Sequence, residues 1–152
     1  MIAKRIEELG FELPAAAVPV FEYVPVICHG GVAYVSGQLP KVNGEVLVRG
    51  KVGAEVSLEE AQKAARLCVL QGLACLRDAL GELERVTRIL KVTGFVASGP
   101  AFTDQPKVLD AASKLLVEIF GERGRHTRSA IGVAVLPRNS PVEIELLVAV
   151  SD

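Results

Sequence analysis

Tryptophan is absent from this 152-residue chain, methionine occurs once, and aromatic residues make up only 5% of it. So few rings leave no platform on which single-stranded nucleic acid would stack. Neither sign of charge is in excess: seventeen Lys and Arg stand against eighteen Asp and Glu, giving a net charge of −1 and a pI near 6.2. That balance argues against broad electrostatic binding of RNA, DNA or an anionic membrane surface. No uninterrupted apolar run approaches the roughly 20 residues a membrane-spanning helix needs. The opening Met-Ile-Ala-Lys-Arg-Ile-Glu-Glu lacks the apolar core of a secretory signal. Cysteine is also scarce. Cys28, Cys68 and Cys75 are odd in number and have neither CxxC nor metal-ligand spacing. Cys68 and Cys75 read as small apolar fillers on one helix face. The expectation is a reducing, cytoplasmic setting with no disulfide and no metal.

Catalogue motifs are missing as well. The chain has no GxGxxG, P-loop, HExxH or GxSxG. His29 adjoins a Gly-Gly turn and is expected at the surface. His126 lies in the basic run Arg123 to Arg128, which reads as a solvated loop or as a strip meeting an acidic neighbouring chain.

What is present is apolar pattern. Hydrophobic residues form 50% of the chain and charged residues 23%, a composition that folds rather than staying disordered. The length suits one domain over 1–152, with residues 1–20 forming a short helix (2–9, stopped by Gly10) and an extended lead-in set by Pro14, Pro19 and, beyond it, Pro25. Strands are expected at 24–28 and 32–35 around Gly30-Gly31, and a second tight turn at Asn43-Gly44. Ser57-Leu58-Glu59-Glu60 is a capping box opening a long helix that ends before Gly81. Residues 86–96 read as a strand. A second long helix runs from about Asp104 to Phe120, with Pro106 in its first turn. Strands 129–136 and 142–150 close the chain, and their short connection predicts that they pair antiparallel. The sum is an α+β domain, a mostly antiparallel sheet with two long helices on one face. Along the last strand Glu143 and Glu145 alternate with Val142, Ile144 and Leu146, and so point away from the apolar side. Further on, Leu146 to Val150 is apolar on both faces, so the sheet needs a second cover, expected to be another copy of the chain. Taken by itself, Arg128 reads as an ion-pair partner of Glu143 or Glu145.

Ser36-Gly37-Gln38-Leu39-Pro40, Gly94-Phe95-Val96, Arg128-Ser129, Leu136-Pro137 and Val142-Glu143-Ile144-Glu145 follow Tyr23 in an order and spacing that resembles the RidA (YjgF-type) family of reactive imine and enamine deaminases. The resemblance covers Tyr23 to Val150. It implies a chorismate-mutase-like fold with a six-stranded sheet, a homotrimeric barrel, and ligand clefts between subunits. It also implies hydrolysis of 2-imino or 2-enamino acids to 2-keto acids and ammonia without metal or organic cofactor. Arg128 would bind the substrate carboxylate, Glu143 would position the hydrolytic water, and Tyr23, Ser36 and Gly37 would line the cleft. The chemistry matches these residue types: a guanidinium fork fits a planar carboxylate, and a neighbouring carboxylate can take a proton from attacking water. The expected partners are further copies of the chain and a small carboxylate or imino acid, with no membrane and no nucleic acid. Three departures mark a divergent branch. Ala130 stands where many relatives have cysteine, Asp110 stands near the position of an asparagine, and the N-terminal segment is longer. They leave open a small-carboxylate binding or regulatory protein on the same scaffold, and more remotely an endoribonuclease.

Overall fold

A computed structural model describes residues 1–152. Helix α1 (Ile2–Glu8) buries Ile2 and Ile6, and the extended lead-in follows it to β1 (Val26–His29). Gly30 and Gly31 both have positive φ, 59° and 76°, which lets a two-residue turn join β1 to β2 (Val32–Gln38) with the twist of a hairpin. Asn43-Gly44 does the same between β3 (Lys41–Val42) and β4 (Glu45–Val46). Helix α2 (Leu58–Leu80) starts at the predicted box, in which the Glu60 amide donates to Ser57 Oγ at 3.1 Å and the Ser57 amide donates to Glu60 Oε2 at 2.9 Å. Strand β5 (Val86–Ala97), helix α3 (Gln105–Phe120), strand β6 (Thr127–Val133) and strand β7 (Val142–Val150) complete the chain.

The main sheet has five strands in the order β1-β2-β7-β5-β6, and β3–β4 form a separate two-stranded ribbon. Two expectations are thereby corrected. The main sheet is five-stranded rather than six-stranded, because β3 and β4 pair apart from it. It is mostly antiparallel as expected, yet mixed, since β5 and β6 run parallel, as strands joined through a crossover helix do. Strands β6 and β7 do not pair at all. The short turn between them carries the chain past β5, and β7 inserts between β2 and β5, antiparallel to both. A brief connection fixes direction reversal, not adjacency.

Helices α2 and α3 cover one face, where Val92, Val96, Val142, Ile144, Leu146 and Val148 meet Leu73, Leu76, Leu109 and Leu116 in one buried cluster. Helix α3 approaches β5 closely at Gly94, where a Cβ would overlap the Leu109 side chain. The other face stays open and apolar, with Ile27, Tyr34 and Ile131 exposed. Cys68 and Cys75 are buried as expected, whereas Cys28 is exposed on edge strand β1. No helix is long and apolar enough to cross a membrane.

Gly94→Ala is expected to lower unfolding stability by about 1–3 kcal/mol through overpacking against Leu109. Ser57→Ala should lose about 1 kcal/mol with the cap. Urea denaturation checks both: the midpoint falls while the slope stays unchanged.

Candidate functional site

Strand β7 alternates strictly. Its core-side residues are buried, so Glu143 and Glu145 face the open side of the sheet, opposite Phe95 and Thr93 of β5. Glu145 is exposed, but Glu143 is only half-exposed because β2 bulges beside it. Val35 pairs with Leu146 and Gln38 with Ile144, which leaves Ser36 and Gly37 as the irregular stretch. A Cβ on Gly37 would overlap the Glu143 carboxylate, so this position needs glycine for the acid to lie where it does. Ser36 secures the far side of the bulge: its amide donates to the Pro25 carbonyl at 2.9 Å and its hydroxyl to the Val24 carbonyl at 3.0 Å. These bonds tie down the end of the lead-in, which carries Tyr23.

The result is a cavity of about 310 Å³ lined by Tyr23, Gly37, Glu143, Lys41, Arg138 and the lead-in residues from Ala17 to Phe21. Three residues expected in a common site, Tyr23, Gly37 and Glu143, meet here. Ser36 does not line it. It borders the adjoining hollow on the open sheet face with Glu145, Thr93, Lys91 and Tyr34, and its hydroxyl is engaged with the backbone. Loss of water around Glu143, reinforced by the negative charge of Glu145, raises its carboxyl above the ordinary glutamate range. Such a group holds a proton more readily near neutral pH than an exposed acid does.

Arg128 lies elsewhere. It sits on β6 opposite Val92, and Val92 points into the helix-covered core. Side chains at the same height on parallel neighbours share a face, so Arg128 projects toward α3 while Glu143 projects from the other side of the sheet. The contacts agree. Arg128 Nη1 donates to Asp110 Oδ1 at 2.9 Å and to Ser113 Oγ at 3.1 Å, and Nη2 reaches the Pro106 carbonyl at 3.5 Å. The expected ion pair with Glu143 or Glu145 is therefore replaced by one with Asp110. Within this pair the arginine side chain is 23% exposed and the aspartate 67%.

His126 is not a free loop residue. Its Nδ1–H donates to the Gly124 carbonyl at 2.6 Å, so the neutral ring leaves Nε2 to accept from Ser113 Oγ at 2.8 Å. Burial lowers its pKa, with Arg128 adding a smaller push in the same direction against the Gly124 bond. Gly124, Ser113 and Arg128 thus form one chain of hydrogen bonds through a neutral histidine. Sequence reasoning missed Ser113, although Asp110 and Ser113 stand one helical turn apart and so share a face. It also missed Lys41 and Arg138, which nothing in strand or helix periodicity marks. No group of His, Cys, Asp and Glu is arranged to hold a metal ion. Cys68 is fully buried with its thiol donating to the Val142 carbonyl at 3.6 Å; burial, and then the Glu143 charge, push its pKa well up. It is an inert filler rather than a nucleophile.

Comparison with known proteins adds four findings. Residues 3–150 match the family model described as "YjgF/chorismate_mutase-like, putative endoribonuclease". The chain is 44% identical over 152 residues to protein TCP17 of Trypanosoma cruzi, covering 99% of this chain and 95% of that one. It is 28% identical over 151 residues to a 2-iminobutanoate/2-iminopropanoate deaminase of Dermatophagoides farinae, covering 99% of each. Among solved structures, the protein Atu1372 of Agrobacterium tumefaciens, whose function is unknown, superposes with a TM-score of 0.93 at 46% identity, covering 99% of this chain and 92% of that one.

The raised pKa of Glu143 has a definite consequence for stability. Above its folded-state pKa the charged, half-desolvated carboxylate costs the native state free energy that the unfolded chain avoids. Below the unfolded value both states are protonated and the cost vanishes. Glu143→Gln is therefore expected to raise the thermal midpoint at about pH 7, with the gain shrinking toward about pH 4. Melting curves across that range check it; an unchanged or lowered midpoint at neutral pH would contradict the desolvation argument.

Proposed function

The chain belongs to the YjgF/chorismate mutase-like family, and from that premise we propose that it hydrolyses reactive 2-imino or 2-enamino acids to 2-keto acids and ammonia. The observation that carries this reading is Glu143: a half-buried carboxyl with a raised pKa, beside a glycine bulge, in a small cavity that Tyr23 also lines. The relative from Dermatophagoides farinae, a deaminase by name, supports it.

In this scheme the imine carbon is attacked by water while Glu143 takes one water proton, usually an effect of about 10²–10⁴-fold. A C–O bond forms, the C=N π electrons move to nitrogen, and the proton passes from Glu143 to that nitrogen. In the resulting carbinolamine Glu143 takes the hydroxyl proton and delivers it to the amino nitrogen, the C=O bond forming as the C–N bond breaks. Ammonia leaves and a keto acid remains. Arg128 binds the carboxylate next to the reacting carbon, its fork exchanging Asp110 for the ligand. Because Arg128 and Glu143 occupy opposite faces of one sheet, a site using both draws them from two copies of the chain. The apolar open face around Ile27, Tyr34 and Ile131 supports such an association, and a homotrimer is the proposed form.

The placing of Arg128 and Glu143 on opposite faces favours one alternative, a small-carboxylate binding protein without turnover. One set of measurements separates the two. Imines made in place by an amino-acid oxidase, with surviving imine trapped by semicarbazide, should disappear faster with the wild-type protein. Glu143→Gln should slow that loss by about 10²-fold or more with little change in keto-acid affinity. Arg128→Ala should weaken binding itself, and light scattering should return three times the chain mass. A trimer that binds keto acid but leaves imine decay unchanged would favour the binding protein. A monomer would end the two-copy site.

A further inference from the structure

We infer that the Glu143 cavity contains a second anion-binding position, formed by Lys41 and Arg138, and that the imino acids it accepts carry a second carboxylate on their side chain. This rests on the deaminase reading above and specifies its substrate class.

Two cationic side chains line the cavity with Glu143, and the same two line an adjoining cavity of about 430 Å³ under Ala15 to Val18. Neither takes part in any of the chain's ion pairs, and neither side chain makes a hydrogen bond within the protein. The cavity therefore holds two positive charges against one acid. Apolar lead-in residues edge both hollows, including Val18 and Val20, which are themselves exposed.

Both cations are held at fixed places in the chain. Gln71, buried on α2, donates from Nε2 to the Lys41 carbonyl at 2.9 Å and so ties the β3 ribbon to the helix. Arg138 and Asn139 are consecutive non-glycine residues at positive φ, 57° and 56°. This left-handed pair costs conformational energy and survives only where its surroundings enforce it. Here they do: the Gly50 amide donates to the Asn139 carbonyl at 2.9 Å, and the buried Ser140 hydroxyl donates to the Val142 carbonyl at 2.8 Å. The turn leads straight into Glu143, so the strained residue and the acid belong to one wall.

If Arg128 from a neighbouring copy takes the carboxylate beside the imine, a simple alkyl side chain would leave Lys41 and Arg138 uncompensated. A side-chain carboxylate would neutralise them. Cavities of about 310 and 430 Å³ lie at the small end of ligand sites and suit a short dicarboxylic acid.

The test compares 2-iminoglutarate with 2-iminobutanoate, each made in place by an oxidase, on the wild-type protein, Arg138→Gln and Lys41→Gln. The wild type should have the higher kcat/KM on the dicarboxylate. Each substitution should lower that value by about tenfold, mainly through KM, and lower the monocarboxylate value by a clearly smaller factor. Arg138→Lys should recover part of the loss. Equal losses on both substrates, no loss on either, or a wild-type preference for 2-iminobutanoate would overturn the second position while leaving a deaminase in place. A wild type inert on both imines would remove the deaminase reading. Calorimetric binding of 2-oxoglutarate against 2-oxobutanoate would then decide the subsite: an Arg138-dependent preference for the dicarboxylate retains it, and equal affinities end it. Melting curves of each variant confirm folding.

Discussion

A sheet has two faces, and this chain has long helices for only one of them. That constraint determines where every charged side chain of interest can be. Strand β7 lies at the centre of the sheet and sends Val142, Ile144, Leu146 and Val148 into the helix-covered core. Each such side chain contributes about 1.5–3 kcal/mol by leaving water. Slipping the strand by one residue would expose all four and bury both acids. The position of Glu143 is thus dictated by its apolar neighbours. Its raised pKa is a by-product of register and local crowding, and the core that enforces the register sustains it.

The crowding itself comes from irregular backbone beside β7 and just before it. Beside it, the bulge at Ser36-Gly37 removes a side chain where the carboxylate lies. Before it, the left-handed residues Arg138 and Asn139 bring the incoming chain against the same cavity. Both irregularities are pinned by hydrogen bonds to ordinary secondary structure or its flanks, through Ser36 to the lead-in and through Asn139 to Gly50. Glycine freedom and enforced strain here serve the same end, which is to shape a wall that regular strands would leave flat.

Local chemistry made much of this fold legible in the sequence. Gly30-Gly31 and Asn43-Gly44 announce their turns because few residues tolerate positive φ, and Ser57 with Glu60 announces a helix start because the two side chains satisfy each other's backbone amides. Alternation alone assigns Glu143 and Glu145 to the correct face. Adjacency was harder. Nothing in residues 134–141 says that β7 skips past β5, since that choice depends on which partner buries the most apolar surface. The same blind spot hid the separation of Arg128 from Glu143. Their roles resemble those of one site, but the face of β6 that carries Arg128 is settled by its parallel pairing with β5, a long-range fact. Arg138 had no signal at all, because a left-handed arginine after proline looks like any polar turn.

The ion pair between Arg128 and Asp110 bears on function in a way that its mere presence obscures. An arginine side chain 23% exposed cannot be left unpaired cheaply, while an aspartate 67% exposed can return to water at little cost. Exchanging Asp110 for a ligand carboxylate would keep the guanidinium paired throughout, so the arginine need not be desolvated anew. Ser113 and the Pro106 carbonyl hold the fork in orientation during such an exchange. Ser113 can accept from Arg128 while donating to His126 only if that ring is neutral, which is the state that its burial favours. Under the proposed function the aspartate would serve as a placeholder, giving way to a ligand whose carboxylate fits the fork and whose remaining groups find partners of their own.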